Sequence, residues 1–236
     1  MRTIYVDKDI PRALLIKLLK PIWPGVVFSR LSIVRFDDIP EPALPGPRWV
    51  RVRNRQCGIC ASDLSLVFVH ADVNVAPTAL PSMDRLYLGH EVVGDVVEVG
   101  PAVSRFKVGD RGIMDSRFQS PTCLSQEIEP LCQHCAQGNY MLCENASANK
   151  GPHGIGGGWG DGFIAHETEL YPVPDDLNDD QAMMIEPIST GLRAVLRRLP
   201  SPGQHALIVG GGVIGLNVLQ CLRALTPECH ITILTR

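Results

Sequence analysis

Three cysteines lie close together in a part of the sequence that has the composition of a loop. Cys132, Cys135 and Cys143 are separated by two and seven residues. Thiolates at such short spacing are typical of a tetrahedral zinc site, which stabilises a loop that has no core of its own. A fourth ligand must come from upstream: Cys123 is the better donor, and Glu129 has the more even spacing. We favour Cys123; the alternative to a metal site is a set of reduced loop cysteines.

A second set of possible metal ligands is spread along the chain. Cys60 lies in a Gly-Ile-Cys-Ala-Ser-Asp segment, His90 and Glu91 follow a glycine, and Glu186 begins a Glu-Pro-Ile-Ser-Thr-Gly segment. One cysteine, one histidine and one glutamate form the kind of ligand set that leaves a catalytic zinc one open position. Each residue alone also fits a purely structural role, and by spacing alone Cys57 could replace Cys60.

A glycine turn near the end of the sequence indicates nucleotide binding. An apolar run at residues 206–209 precedes a Gly-x-Gly-x-x-Gly pattern, and a helix-like segment follows it. Such a turn lets backbone amides approach a pyrophosphate at the N-terminus of a helix. The candidate residues of this turn are Gly210, Gly212, Val213, Ile214 and Gly215. A dinucleotide site needs a whole parallel sheet, of which the apolar run 231–234 would supply one further strand.

The elements that must position these residues are mostly strands. Alternating or valine-rich patterns predict strands at 31–36, 49–53, 91–99 and 163–171, whereas 181–199 has the pattern of a helix. The glycine-rich stretch 151–162 is predicted to be a mobile loop. Residues 1–28 show no clear partner and are interpreted as an extension. The domains expected are therefore this extension, a β-rich unit at 29–190 and the opening of an α/β unit at 191–236.

Composition excludes several classes of function. The net charge of −3 and the absence of a basic stripe argue against a nucleic-acid partner. The apolar stretch 13–19 is too short and too charged to cross a membrane, and no signal-peptide pattern precedes it. We therefore expect a cytoplasmic protein without a membrane partner. In that compartment its eight cysteines indicate metal binding or catalysis instead of disulfides.

Taken together, the motifs resemble those of the zinc-dependent medium-chain dehydrogenases, a superfamily of alcohol, polyol, threonine and glucose dehydrogenases. The matching segments are Gly-Ile-Cys-x-Ser-Asp at 58–63, Gly-His-Glu at 89–91, Val-Gly-Asp-Arg at 108–111, the cysteine loop at 132–143, Glu-Pro-x-Ser-x-Gly at 186–191 and the glycine turn at 210–215. The resemblance covers about residues 30–236. It implies a β-rich GroES-like catalytic domain followed by the start of an α/β Rossmann domain, which is incomplete here.

The resemblance also implies roles for single residues around a catalytic zinc. Cys60 and His90 would be ligands, and Glu186 would be the third, as in the polyol and glucose branches. Glu91 would be close enough to the metal to exchange with water or substrate. Asp63 would hold the His90 ring in its orientation by contacting the nitrogen that does not bind the metal.

Two hydroxyl residues complete the implied catalytic group. Ser62 would pass the alcohol proton outward, and Thr190 would lie beside the nicotinamide. The cysteine loop corresponds to the family's structural zinc lobe. The sequence departs from the family there, because Glu129 stands where the first cysteine is expected.

The function expected is a zinc-dependent oxidoreductase that transfers hydride between an alcohol, polyol or sugar hydroxyl and NAD(P). The second Rossmann strand is followed by Thr235 and Arg236 without an acid, which favours NADP over NAD, although Arg236 could simply be a solvated residue. We expect a homo-oligomer. The alternative is a truncated, non-catalytic, zinc-stabilised module, and a zinc-free quinone reductase of the same superfamily conflicts with both clusters.

Overall fold

The computed structural model describes residues 1–70, 85–115, 120–146 and 155–236. Contacts divide the chain into two compact units, unit 1 (Met1–Asp179) and unit 2 (Asp180–Arg236). In the described part of the chain, no helix is both long and apolar enough to cross a membrane.

Strands supply most of the regular structure of unit 1. They are β1 (Arg2–Asp7), β2 (Val34–Asp38), β3 (Trp49–Cys57), β4 (Arg85–Tyr87), β5 (Val92–Val99), β6 (Arg111–Met114), β7 (Gly162–His166) and β8 (Leu170–Pro172). The helices described in this unit are α1 (Ile10–Leu19), α2 (Ala61–Val67) and α3 (Gln133–Ala136), and 3-10 turns lie at Pro24–Phe28, Tyr140–Leu142 and Glu167–Glu169.

A five-stranded antiparallel sheet in the order β7-β3-β5-β6-β8 forms the centre of unit 1. The alternation in β3 buries Val50 and Val52 and leaves the arginines between and after them more exposed, as the sequence pattern predicts. In β5 a Cβ at Gly94 would lie 2.5 Å from the carbonyl oxygen of Arg53, so the close strand approach there needs glycine. The core of this sheet also contains Trp49, Val92, Val96, Phe106, Met114, Phe163, Ile164 and Leu170.

Residues 1–28 are not an extension without a partner, so that expectation is wrong. β1 is the middle strand of a second sheet in the order β2-β1-β4. Helix α1 buries Ile16 completely, in a cluster with Val6, Val26 and Leu88. The sequence reasoning missed the short strand and the helix start at Asp9, whose side chain accepts a hydrogen bond from the backbone N–H of Arg12.

Unit 2 has the strand, turn, helix and strand order of a dinucleotide-binding fold. Strands β9 (His205–Val209) and β10 (His230–Leu234) pair in parallel and are connected by a helix at Val213–Leu225. Two helices precede β9 in the sequence: α4 (Asp179–Met183), which begins at the last residue of unit 1, and α5 (Ile185–Arg197). The helix at Val213–Leu225 is called α6. The fold expected from the sequence, a β-rich unit followed by the opening of an α/β unit, is therefore confirmed.

The contact-based division falls between Asp179 and Asp180, whereas the sequence predicts the domain boundary between residues 190 and 191. The functional domain boundaries stay a prediction.

Candidate functional site

Strand pairing brings two of the candidate ligand segments together. Cys57 at the end of β3 pairs with Val92 at the start of β5, so the segments next to these strand ends are neighbours. Cys60 follows β3 and caps the start of α2, and His90 and Glu91 precede β5. The donor atoms of Cys60, His90 and Glu91 all lie within 4.8 Å of one another, and each residue is half-buried.

Asp63 lies behind this group on α2. Its side chain is buried, and its Oδ1 is 3.4 Å from Nδ1 of His90. The same oxygen accepts a hydrogen bond of 3.3 Å from the backbone N–H of Gly89. A carboxylate beside one ring nitrogen fixes the orientation of an imidazole and leaves the other nitrogen for a metal.

Cys57 and Cys60, between which spacing alone could not choose, differ in their surroundings. Cys57 is not part of the donor group, and its Sγ donates to the carbonyl oxygen of Gly58 at 3.2 Å. Burial raises the pKa of Cys57 to about 12, and the charges of Asp63 and Glu91 add to this effect. Cys57 is thus held as a neutral thiol beside the donor group.

The remaining catalytic candidates lie on two helices. Ser62 is exposed in the first turn of α2, directly after Cys60 and Ala61. Glu186 and Thr190 belong to unit 2, where they lie four residues apart and so share one face of α5. Glu186 is half-buried and Thr190 is exposed. The catalytic roles of these three residues stay predictions.

The second cluster consists of four thiols. The Sγ atoms of Cys123, Cys132, Cys135 and Cys143 lie within 4.8 Å of one another, and those of Cys123 and Cys143 are 3.7 Å apart. Zinc–sulfur bonds of about 2.3 Å in a tetrahedron put sulfurs roughly 3.8 Å apart, so this donor set fits zinc. Glu129 is not among the donors, which leaves Cys123 as the candidate for the fourth ligand.

Backbone and amide N–H groups support negative charge on two of these sulfurs, whereas burial raises the pKa of Cys135 to about 12 and also raises the pKa of Cys143. Cys135 donates its backbone N–H to Sγ of Cys132 at 3.5 Å, and Nδ2 of Asn145 donates to Sγ of Cys123 at 3.2 Å. The backbone N–H groups of Cys135 and Glu144 lower the pKa of Cys132 to about 6. A thiolate is the form that binds zinc.

The glycine turn in unit 2 has the geometry that its pattern predicts. Gly210 has φ +108°, a conformation that favours glycine, and Gly212 caps the start of α6. A Cβ at Gly215 would overlap the carbonyl oxygen of Gly210. Val213 and Ile214 form the exposed first turn of α6, whose N–H groups are available to an anion.

The two residues that end the sequence follow β10. Thr235 lies against the turn, because its Oγ1 is 3.0 Å from the place a Cβ would take at Gly211. Arg236 is exposed.

The sequence reasoning missed two residues next to the first donor group, Asn54 and Trp159. Asn54 bonds to the glycine-rich stretch, whereas Trp159 belongs to it and bonds to Gly58. Residues 151–154 of this stretch lie outside the described part of the chain. Residues 155–158 are buried, contrary to the expectation of a mobile loop. A single tryptophan among closely spaced glycines was the one signal that could have identified a packed segment.

Comparison with known proteins identifies the family. Residues 46–175 match the alcohol dehydrogenase GroES-like domain. The (R,R)-butanediol dehydrogenase of Bacillus subtilis is 33% identical over 197 residues, which are 81% of this chain and 52% of that protein. D-xylulose reductase A of Aspergillus oryzae is 32% identical over 198 residues, which are 84% of this chain and 51% of that protein.

A solved structure agrees with these matches. A Sinorhizobium meliloti protein assigned as a zinc-binding dehydrogenase, in complex with NADP, aligns with a TM-score of 0.59 at 28% identity. The alignment covers 86% of this chain and 52% of that one. The chain thus spans about half the length of the curated relatives it matches. Because the GroES-like domain accounts for more than half of the sequence, the chain belongs to the zinc-dependent medium-chain dehydrogenase/reductase superfamily.

Proposed function

We propose that this chain is part of a zinc-dependent enzyme that transfers hydride between the hydroxyl of an alcohol, polyol or sugar and NAD(P). The observation that carries the proposal is the convergence of Cys60, His90 and Glu91 within 4.8 Å, with buried Asp63 beside the histidine. The names of the relatives, a butanediol dehydrogenase and a xylulose reductase, support a substrate with more than one oxygen function. A homo-oligomeric, cytoplasmic enzyme is part of the same proposal.

Three residues would hold the catalytic zinc. Cys60 and His90 would be two of the ligands, the family resemblance makes Glu186 the third, and Glu91 would exchange with water or substrate at the metal. Bound zinc supplies Lewis acidity, which lowers the pKa of a bound hydroxyl. Cys123, Cys132, Cys135 and Cys143 would hold a second, structural zinc.

The side chains around the donor group have orienting and proton-carrying roles. Asp63 would accept the proton of His90 Nδ1, the nitrogen that lies 3.4 Å from its Oδ1, so that Nε2 would be the nitrogen left for the metal. Ser62 is exposed beside the donor group and would carry the hydroxyl proton to solvent. Thr190 would contact the nicotinamide ring from α5.

Nucleotide binding is assigned to the turn between β9 and α6. The N–H groups at the start of α6 would hold the pyrophosphate, and Gly210 and Gly215 allow its close approach. We propose NADP over NAD because Thr235 and Arg236 directly follow β10, where an arginine suits a 2′-phosphate. Equilibrium binding of NADP and NAD to the whole enzyme tests this choice, and a clear preference for NAD would contradict it.

The catalytic assignment is tested with two cysteine variants of the whole enzyme. We expect Cys60→Ser to lose one zinc per chain and at least a hundredfold in the rate of polyol oxidation. Cys57→Ser is the matched control, because that thiol lies beside the donor group without belonging to it, and it should keep both zincs.

A Cys60→Ser enzyme that retains the native rate and metal content would contradict the proposal. An unmodified enzyme that binds zinc in both clusters, yet oxidises no alcohol, polyol or aldose with either nucleotide, would favour the non-catalytic module.

A further inference from the structure

The described part of the glycine-rich stretch runs between the two segments that carry Cys60 and His90. The backbone N–H of Gly158 donates to the carbonyl oxygen of Gly89 at 2.8 Å. The backbone N–H of Trp159 donates to the carbonyl oxygen of Leu88 at 3.0 Å. The indole Nε1 of Trp159 donates to the carbonyl oxygen of Gly58 at 3.1 Å. One residue therefore bonds to both ligand segments.

Asn54 attaches this stretch to the central sheet. It lies in β3, and its Nδ2 donates to the carbonyl oxygens of Gly157, Gly158 and Gly160 at 2.9, 3.1 and 2.8 Å. These carbonyls lie on both sides of Trp159 in the sequence. The tryptophan is thus held from a strand that is itself paired on both edges.

Close packing leaves little room for the stretch to move. A Cβ at Gly158 would lie 2.5 Å from Sγ of Cys57, and a Cβ at Gly157 would lie 2.6 Å from the carbonyl oxygen of Leu88. Gly89 has φ +83°, and its Cβ would lie 2.5 Å from Cδ1 of Trp159. The glycines are required here because the backbone of the stretch touches the ligand segments directly.

The peptide of Gly58 is held from two sides. Its N–H donates to the carbonyl oxygen of Glu91 at 2.8 Å, and its carbonyl oxygen accepts the indole proton of Trp159. Gly58 precedes Cys60 by only two residues. The orientation of the Gly58 backbone therefore constrains the position of the Cys60 thiol. Without the indole proton, the Gly58 N–H keeps its bond to Glu91, and the Gly58 carbonyl oxygen keeps the weaker thiol donor, Sγ of Cys57.

We propose that Trp159 is a positioning residue that sets the placement of Cys60 relative to His90 by hydrogen bonding to Gly58 and Leu88. Asn54 supports it from β3. The proposal rests on the proposed function, in which Cys60 and His90 bind the catalytic metal. Residues that orient metal ligands typically change metal affinity by tenfold or more when they are altered. Trp159 itself contacts neither metal nor substrate in this proposal.

The test uses Trp159→Phe, which keeps an aromatic ring and removes the indole N–H. Co²⁺ is bound to the chain after the four-thiol cluster has been filled with Zn²⁺, and its affinity is measured by competition with a chelator. We expect about tenfold weaker Co²⁺ binding and a changed visible spectrum, with an unchanged Zn²⁺ content of the four-thiol cluster. Trp23→Phe is the matched control, because Trp23 is half exposed and lies in the N-terminal part of unit 1.

Asn54→Leu provides a second variant, which removes the Nδ2 donor shared by the three glycine carbonyls and leaves the indole unchanged. Like Trp159→Phe, it should weaken Co²⁺ binding. Urea unfolding of each variant separates local positioning from a general loss of stability. A Trp159→Phe chain that loses stability but binds Co²⁺ with native affinity and spectrum would overturn the inference and leave the proposed function standing. Failure of the unmodified chain to bind Co²⁺ through Cys60 and His90 would contradict the proposed function, and this inference with it.

Discussion

Glu167 carries a carboxylate in the interior of unit 1, where its side chain is fully buried. Its Oε1 accepts from Nε of Arg48 at 2.8 Å, and its Oε2 accepts from the backbone N–H groups of Ser104 and Arg105, each at 2.9 Å. Burial alone would raise the pKa of Glu167, but these donors outweigh it and the pKa is lowered. The carboxylate therefore joins the start of β3 to the turn before β6.

Glu167→Gln should destabilise the protein by about 2 kcal/mol. Both oxygens accept hydrogen bonds from donors, so an amide in either orientation turns its NH₂ group towards a donor. Glu98→Gln is the control: Glu98 is half exposed and bonds to Arg51, so its loss should cost under about 1 kcal/mol. Urea unfolding at neutral pH measures both changes in unfolding free energy. Equal losses for Glu167→Gln and Glu98→Gln would contradict the stabilising role of the buried carboxylate.

The contribution of Glu167 should also depend on pH. Because the folded state lowers its pKa below 4.5, the unfolded state takes up the proton first as the pH falls. The stabilisation is fully present above about pH 4.5 and is lost as the pH falls through the folded pKa. The difference in unfolding free energy between the native protein and Glu167→Gln should be constant above that pH and shrink below it.

The fourth thiol can be tested by metal analysis. Cys123→Ser should lower the zinc content by one per chain, because a closed site with three thiolates binds zinc far more weakly. Glu129→Gln is the control and should keep the native content. If Glu129→Gln instead lost one zinc per chain and Cys123→Ser kept the native content, the fourth ligand would be Glu129 and not Cys123.

At the scale of residues, type and spacing identified the segments that carry candidate donors, but the family resemblance was needed to choose Cys60 over Cys57. Thiols and imidazoles are few, and the structure brings Cys60, His90 and Glu91 together; their action as ligands stays a prediction. Asn54 and Trp159 could not be predicted, because their bonds join positions about a hundred residues apart, with no spacing rule. Only the folded backbone relates them.

The elements at the start of the chain have a larger role than their sequence indicates. In α1, Ile16 is completely buried, whereas Leu18 is 73% exposed. Ile16→Ala should cost about 2–5 kcal/mol of unfolding free energy, because it leaves a cavity beside Val6 and Leu88. Leu18→Ala should change it by under about 0.5 kcal/mol. Similar small effects for both variants would contradict the packing of α1 against Val6 and Leu88.

Element prediction succeeded where one periodicity ran without interruption. Strand β3 and the β9–α6 pair follow clear patterns. The strand predicted at 163–171 is instead divided, because the side chain of His166 accepts from the backbone N–H of Thr168 and starts a 3-10 turn. Such a local side-chain bond competes with the sheet and leaves no trace in the hydrophobic pattern.

At the scale of the whole molecule, the two units differ in how much core they contain. Unit 1 contains two sheets and two clusters of buried side chains, whereas unit 2 has one two-stranded sheet and a small cluster around Ile208 and Leu222. A two-stranded sheet is marginal by itself. We expect residues 1–179 alone to unfold cooperatively and to keep the four-thiol metal, and residues 180–236 alone to lack a cooperative transition. Circular dichroism on heating measures both, and an unfolded 1–179 chain would contradict the expectation.

The middle position of β1 has a consequence for biosynthesis. This strand leaves the ribosome before its partners β2 and β4, and β4 is not complete until Tyr87. Until then Tyr5 and Val6, which are buried in the folded protein, belong to a nascent strand with an unpaired edge. The interval between the synthesis of β1 and β4 is therefore the period in which chaperone binding would protect the growing polypeptide from aggregation.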